Sequence, residues 1–262
     1  MSKPAAAVIR RRHFLLTALG ISLVRPIGRA LSAAGLPTSS SAEEAGAALA
    51  AELRRQPPDL NTEGVLRRRD PKGRWLPAFP IRLELQGASG TWESLYRVFA
   101  PSGALIETLT ITHTAGGNRY TLRRAAEPAG GAAAQNLQGN AASVPLAGTD
   151  FWLCDLGLEF LYWPAQRITR TEMRKGRSCR VLESVNPRPE SGAYARVLSW
   201  VDIESGGLLR AEALGQDGRR MKEFNIGSLK KIEGRFQLKS MEIRDERADT
   251  RTRIEFELEL AE

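Results

Sequence analysis

From about residue 80 onward the chain alternates between apolar and polar positions. In "PIRLELQG" the residues Ile81, Leu83 and Leu85 fall on one side of an extended segment. "TWESLYRVFA", "ALIETLTITH" and "NRYTLRR" follow, separated by turn signals at Pro101-Ser102-Gly103 and Gly116-Gly117-Asn118. A period of two is the mark of a strand with one face buried and the other wet. These segments therefore predict an antiparallel meander.

The same pattern returns in the second half. "ITRTEMRKGRSCRVLES" predicts a hairpin turning at Lys175-Gly176, and "YARVLSWVDIESGGLLRAEAL" another through Gly206-Gly207. "QDGRRMKEFNI" carries an Asp217-Gly218 turn, a strong short hairpin signal. "GRFQLKSMEIRD" and "TRTRIEFELEL" complete the series. In the last, Thr252, Ile254, Phe256, Leu258 and Leu260 alternate strictly with Arg251, Arg253, Glu255, Glu257 and Glu259. About ten strands are expected, and a sheet of that size with one apolar face must curl around something.

Two segments depart from period two. "SAEEAGAALAAELRRQPP" reads as a helix, with Ser41 as N-cap, Glu43 and Glu44 in the first turn, Arg54 and Arg55 in the last, and Pro57-Pro58 as the stop. "TDFWLCDLGLEFLYWPAQ" reads as a second helix ended by Pro164. Trp152, Leu153, Leu156, Phe160 and Trp163 share one side of it, and Phe151, Cys154, Leu158, Leu161 and Tyr162 the other. A helix apolar nearly all round is buried on two sides. It is either a core helix or a lid facing a removable ligand. Between the two sheet halves, Glu127 to Gly148 is rich in Gly and Ala, has little pattern, and reads as a long mobile or functional loop. The fold class is mainly β (α+β), in one domain over residues 35–262.

The first 34 residues read as an address. The run Phe14 to Val24 has eleven residues and no charge, too short for a membrane span of roughly 20 but right for a signal peptide behind a basic n-region. Arg11, Arg12, Phe14 and Leu15 fit a twin-arginine export pattern. Arg10 and Leu16 stand where Ser or Thr and Lys are usual, so a general secretory signal or an uncleaved anchor is the competing reading. Small residues from Ser32 to Ala34 offer a cleavage site. The remaining chain is expected to be soluble in the periplasm.

This address changes the meaning of the charge. The whole chain carries +8, but without Lys3, Arg10, Arg11, Arg12, Arg25 and Arg29 its 38 basic residues fall to 32 against 30 acids, a net +2. No basic stripe remains for nucleic acid. The densest cluster, Arg67 to Arg74, sits on a Pro-Gly turn and reads as a solvated hairpin tip. Cys154 and Cys179 are the only cysteines. In an oxidising compartment they either pair, closing a loop worth about 3 kcal/mol in the chain-entropy model, or remain buried thiols. His113 is the only histidine after the signal, and reads as a strand-end residue. No nucleophile elbow, zinc-protease helix, redox dicysteine or phosphate loop is present. The reading is therefore non-catalytic, with no metal and no cofactor.

The order of elements, together with "Y-x-R-V-x-S-W-V-D", "L-L-R-A-E-A", "D-G-R-x-x-K-x-F" and the "D-T-R-T" that opens the last strand, resembles the outer-membrane lipoprotein-sorting proteins of the LolA/LolB-like superfamily. The resemblance covers most of the chain after the signal and is strongest from Thr149 to Leu258. It implies a strongly curved antiparallel sheet, an incomplete barrel, with an N-terminal helix and a lid-like helix on the open side. It also implies a periplasmic, monomeric carrier that shields acyl chains of lipoproteins or other lipids between an inner-membrane donor and an outer-membrane acceptor. The motif residues Tyr194, Trp200, Asp202, Asp217, Gly218, Lys222, Asp249 and Thr250 are taken as turn and strand-register elements.

Burying one acyl methylene is worth about 0.8 kcal/mol, so a sixteen-carbon chain gains on the order of 10 kcal/mol gross. A lid that refills the groove offsets that gain and permits release. The expected groove lining is Leu83, Leu85, Leu109, Ile111, Trp152, Leu156, Phe160, Trp163, Leu198, Trp200, Phe256 and Leu258. The rival reading is an envelope assembly module that binds a protein partner on the same scaffold. The interior discriminates: a carrier needs an apolar cavity, whereas a scaffold fills it with its own side chains.

Overall fold

Helix α1 (Ser39–Arg54) leads into five strands, β1 (Thr62–Arg69), β2 (Phe79–Ala88), β3 (Thr91–Phe99), β4 (Leu105–Thr114) and β5 (Gly117–Arg124). A short β6 (Gln135–Leu137) and a one-turn helix α2 (Leu153–Leu156) follow. Seven strands complete the chain: β7 (Ala165–Arg174), β8 (Arg177–Val185), β9 (Arg196–Asp202), β10 (Leu208–Leu214), β11 (Arg220–Ile232), β12 (Arg235–Asp245) and β13 (Thr250–Glu257). The structure is a computed structural model and describes residues 39–55, 61–88, 91–125, 133–232 and 235–257. The export-signal residues Arg11, Arg12, Phe14 and Leu15, and the expected lining residue Leu258, lie outside the described residues.

The thirteen strands form one antiparallel sheet in the order β6-β5-β4-β3-β2-β1-β13-β12-β11-β10-β9-β8-β7. It is open, with β6 and β7 at its edges. Its curvature follows from two hydrogen bonds. Asn118 on β5 reaches the Gly157 carbonyl at 2.7 Å, and Gln166 on β7 reaches the Phe160 carbonyl at 2.9 Å. In a flat sheet β5 and β7 would stand about 50 Å apart, at roughly 4.8 Å per strand. Three residues of chain span only about 10 Å, so the sheet is wrapped around this segment. The alternation read from the sequence sets the inner face: Leu66, Ile81, Leu109, Ile111, Leu122 and Ile254 are all buried in one core.

Two strands were not expected. β1 lies between β2 and β13 and joins the two halves of the sheet. Its Gly64 lies against β13 so closely that a Cβ would stand 2.3 Å from the Glu255 carbonyl oxygen. β6 pairs with β5 through Tyr120↔Leu137. Within the expected loop Glu127 to Gly148, the described residues 133–148 carry β6, a 3-10 turn at Gly139–Ala142, and Ala142 and Leu146 in the core.

Helix α1 begins at Ser39, so Ser41 lies inside it rather than capping it. It packs Leu49, Ala50 and Leu53 into the core. Gly46 lets it approach the edge strand: a Cβ there would stand 2.6 Å from the Arg167 Cα and backbone N of β7.

Candidate functional site

The concave side of the sheet is covered by residues 139–163. The sequence suggested one continuous helix over the later part. The structure has instead the single turn α2, a break at Gly157-Leu158, and a 3-10 turn at Glu159–Tyr162. Leu158 takes a left-handed conformation at φ 48°. Gly157 is required by β5: a Cβ there would stand 2.2 Å from the Tyr120 hydroxyl.

The cover is apolar beneath and polar around its rim. Phe151, Leu153, Phe160 and Leu161 are buried in the core. Before them, a tight hairpin pairs Pro145 with Trp152. Its tip is held by Glu107 on β4, whose carboxylate accepts the Ala147 amide at 2.6 Å. Asp150 is clamped by β13: Thr250 Oγ1 and Thr252 Oγ1 donate to its two carboxylate oxygens at 2.5 and 2.7 Å, and its own amide donates to Thr252 Oγ1 at 3.0 Å. At the far end, Tyr120 and Asn118 of β5 donate to Glu159 at 2.9 and 3.1 Å. Burial raises the pKa of Glu159 while these two bonds oppose the rise. Gln166 holds the Phe160 and Trp163 carbonyls, and Arg54 of α1 holds the Leu161 carbonyl at 2.5 Å.

The most unusual member of the site is Lys222. It lies on the inner face of β11 and its side chain is only 2% exposed. Its ammonium donates to the Asp150 carbonyl at 2.6 Å, stands 3.4 Å from Asp155 Oδ2, and lies 3.6 Å from the centre of the Trp152 ring. Asp155 also caps α2 by accepting the Trp152 amide at 2.8 Å, and accepts the Tyr194 hydroxyl at 2.9 Å. Trp152 and Tyr194 stack at 4.8 Å. Burial lowers the pKa of Lys222, and the Asp155 charge opposes that shift.

Tyr194, Lys222 and Thr250 thus hold the cover rather than set turns or register, a correction to the sequence reading. The signal for Lys222 was available: Phe224 and Ile226 face inward on β11, and the period of two carries Lys222 inward with them. Glu107 could have been found the same way from Leu109 and Ile111. Asp202 does serve a turn, accepting the Ser205 amide and hydroxyl, and Arg177 at 2.5 Å holds its carboxyl well below the usual range.

Of the expected lining residues, Leu83, Leu109, Ile111, Phe160 and Phe256 are buried in the main core, and Leu85, Trp152, Leu156 and Trp163 pack against it. Leu198 and Trp200 do not join them. Both face the outer side of β9, in a separate cluster with Cys179 and Val181. The Trp200 ring lies under the guanidiniums of Arg170, Arg174 and Arg210 at 5.1–5.9 Å. Cys154 and Cys179 are both free and buried, the first in the main core and the second in that outer cluster.

Among the described residues, spaces of different size adjoin the cover. Under it, Lys222, Asp155, Phe224, Leu208, Ala211 and Ala213 line a cleft with a free volume of about 20 Å³, room for a water or two. At the end of α1, Arg54, Arg55, Trp92, His113 and Tyr162 line a wider cavity of about 480 Å³. His113 stacks on Trp92 at 3.6 Å and its Nε2 lies 3.0 Å from Ser94 Oγ. Burial holds its pKa down to about 4, opposed by a hydrogen bond to Asn118. Among the described residues, no group of three or more His, Cys, Asp or Glu is placed to hold a metal ion, and no helix is long and apolar enough to cross a membrane.

Comparison with known proteins supports the fold. A family model described only as an uncharacterized protein-like family matches residues 133–259. No curated protein matches the chain. Three solved structures share the architecture. A DUF1329 family protein from Desulfovibrio piger is 19% identical, with a TM-score of 0.67 over 82% of this chain and 91% of that one. A putative outer membrane lipoprotein-sorting protein domain from Vibrio parahaemolyticus is 16% identical, with a TM-score of 0.66 over 82% and 92%. A LolA superfamily protein from Nitrosomonas europaea is 17% identical, with a TM-score of 0.55 over 87% and 95%. The fold is the LolA-like open barrel.

Proposed function

We propose that this protein is an exported, periplasmic carrier that shelters acyl chains, of lipoproteins or of other lipids, on the concave face of its sheet. The observation that carries this reading is the way the concave face is covered. Residues 139–163 lay an apolar surface on the core but are fastened by polar side chains around the rim. The free volume beneath, about 20 Å³, holds no acyl chain while the cover is down. Cargo binding therefore displaces the cover. Exchange of Phe151, Leu153, Phe160 and Leu161 for an acyl chain replaces one buried apolar surface by another, so net affinity stays far below the gross transfer energy. A carrier that must release its cargo needs such a competitor. The lipoprotein-sorting description of one structural neighbour favours acylated proteins as cargo, with donor and acceptor proteins in the two membranes.

The test is native mass spectrometry of the protein purified without detergent, followed by displacement with a fluorescent acyl probe. Co-purified lipid or acylated peptide, displaced by the probe and weakened by Ala211→Leu in the cleft, supports the carrier. An apo mass with no probe binding refutes it, and moves the function to a scaffold whose filled interior is permanent.

A further inference from the structure

The buried ammonium of Lys222 restricts what the cargo can be. Among the described residues, its close partners all come from the cover: the Asp150 carbonyl, the Asp155 carboxylate and the Trp152 ring. The sheet offers only the Tyr194 ring at 5.8 Å from the loop before β9, and the charge of Asp245 opposite on β12, which acts on the ammonium without a hydrogen bond and whose Oδ1 accepts the Arg247 and Ala248 amides. Once the cover lifts, the ammonium keeps none of its close partners and faces Phe224, Ile243, Val197, Ala211 and Ala213. With only the Asp245 charge left and no close partner, an ammonium in an apolar site is unfavourable. Something must take the place of Asp155.

Resting on the carrier reading, we infer that the cargo's polar end is an anion, a carboxylate or phosphate on an acyl amphiphile, which pairs with Lys222 in place of Asp155. The surroundings fix its orientation. On β11 the inner face runs Lys222, Phe224, Ile226, a cation followed by apolar positions about 7 Å apart. On β10, Ala213 and Ala211 are small and leave a trough beside them. The anionic head sits where Asp155 now sits, and the tail lies along β11 over the two alanines. A neutral amphiphile of the same length fills the trough but leaves Lys222 unpaired.

The experiment is competition of palmitate, palmitamide, monopalmitoylglycerol and lysophosphatidate against a neutral fluorescent acyl probe, near neutral pH, with the signal-free protein. Palmitate or lysophosphatidate is expected to compete about tenfold or more better than the two neutral ligands, the size of a hydrogen bond to a charged group. If only one anion does so, it identifies the head group as carboxylate or phosphate. In Lys222→Met the preference is expected to vanish, and in Lys222→Arg to persist. If Lys222→Met does not fold, the wild-type ranking and Asp155→Asn, which frees the ammonium and should strengthen anion binding, decide the matter. Equal competition by charged and neutral ligands overturns the anion inference and leaves the carrier intact. Failure of every acyl ligand, the probe included, overturns both.

Discussion

Thr252→Val tests how the cover is held. Thr252 is fully buried, and its hydroxyl makes two bonds to one residue of the cover: it donates to Asp150 Oδ2 at 2.7 Å and accepts the Asp150 amide at 3.0 Å. Valine has the same shape, so no cavity opens and the loss is polar. A hydrogen bond to a charged group contributes about 1.5–3 kcal/mol, and a buried amide left without an acceptor costs about 1 kcal/mol more. The expected loss is about 2.5–4 kcal/mol. Thr250 still holds the other oxygen, so the damage is local and the cover should open before the sheet unfolds. Hydrogen exchange read by mass spectrometry is the assay. Amides of residues 144–156 should exchange about 60-fold or more faster, the lower end of that range, while β2–β4 change little. Thr252→Ser, which keeps the hydroxyl, should restore most of the protection. Unchanged exchange over 144–156 in Thr252→Val would refute the idea that this clamp fastens the cover.

Four further outcomes follow from the same geometry. His113 is held neutral with a folded pKa of about 4, below its unfolded value of about 6.5; its contribution to stability, up to about 3 kcal/mol, is complete above pH 6.5 and lost as pH falls towards 4. Urea melts should show that slope, and His113→Gln should flatten it. Gly46→Ala gains about 1 kcal/mol of helix propensity but sets a Cβ 2.6 Å from the β7 backbone, and overpacking costs about 1–3 kcal/mol; a lowered melting temperature is expected, and a raised one would mean that α1 does not touch β7. Lys222→Met and Asp155→Leu should each cost about 3–5 kcal/mol, whereas the double variant should recover much of the loss, which denaturant titration of all three checks. Without reductant, both cysteines should alkylate in denaturant and neither in the native protein, because both thiols are free and buried.

The period of two by itself determined most of the strands, the antiparallel class and most of the inner face. β13 shows why: in "TRTRIEF" the buried and half-buried positions alternate without a break, and backbone pleating turns that pattern directly into two faces. The resemblance in the motifs then pointed to the open barrel. Where a strand is apolar on both sides, alternation names no inner face. In β9, Val197, Ser199 and Val201 compete with Leu198 and Trp200, and the larger pair goes outward because arginines from β7 and β10 cover the indole. β1 and β6 carry little pattern and are strands because β2, β13 and β5 offer them partners.

The cover shows the same limit more sharply. Its residues are helical by local pattern, but α2 stops after one turn at the left-handed Leu158, and position 157 must be glycine because Tyr120, far away in the chain, occupies the space beside it. Lys222 is placed inward by parity alone, but its ammonium is satisfied only because Asp150, Trp152 and Asp155 arrive from the other side of the barrel. Local backbone geometry is written in neighbouring residues and can be read from them. Which side is covered, where a helix breaks and what a buried charge meets depend on residues distant in the chain, and only the folded sheet brings those together.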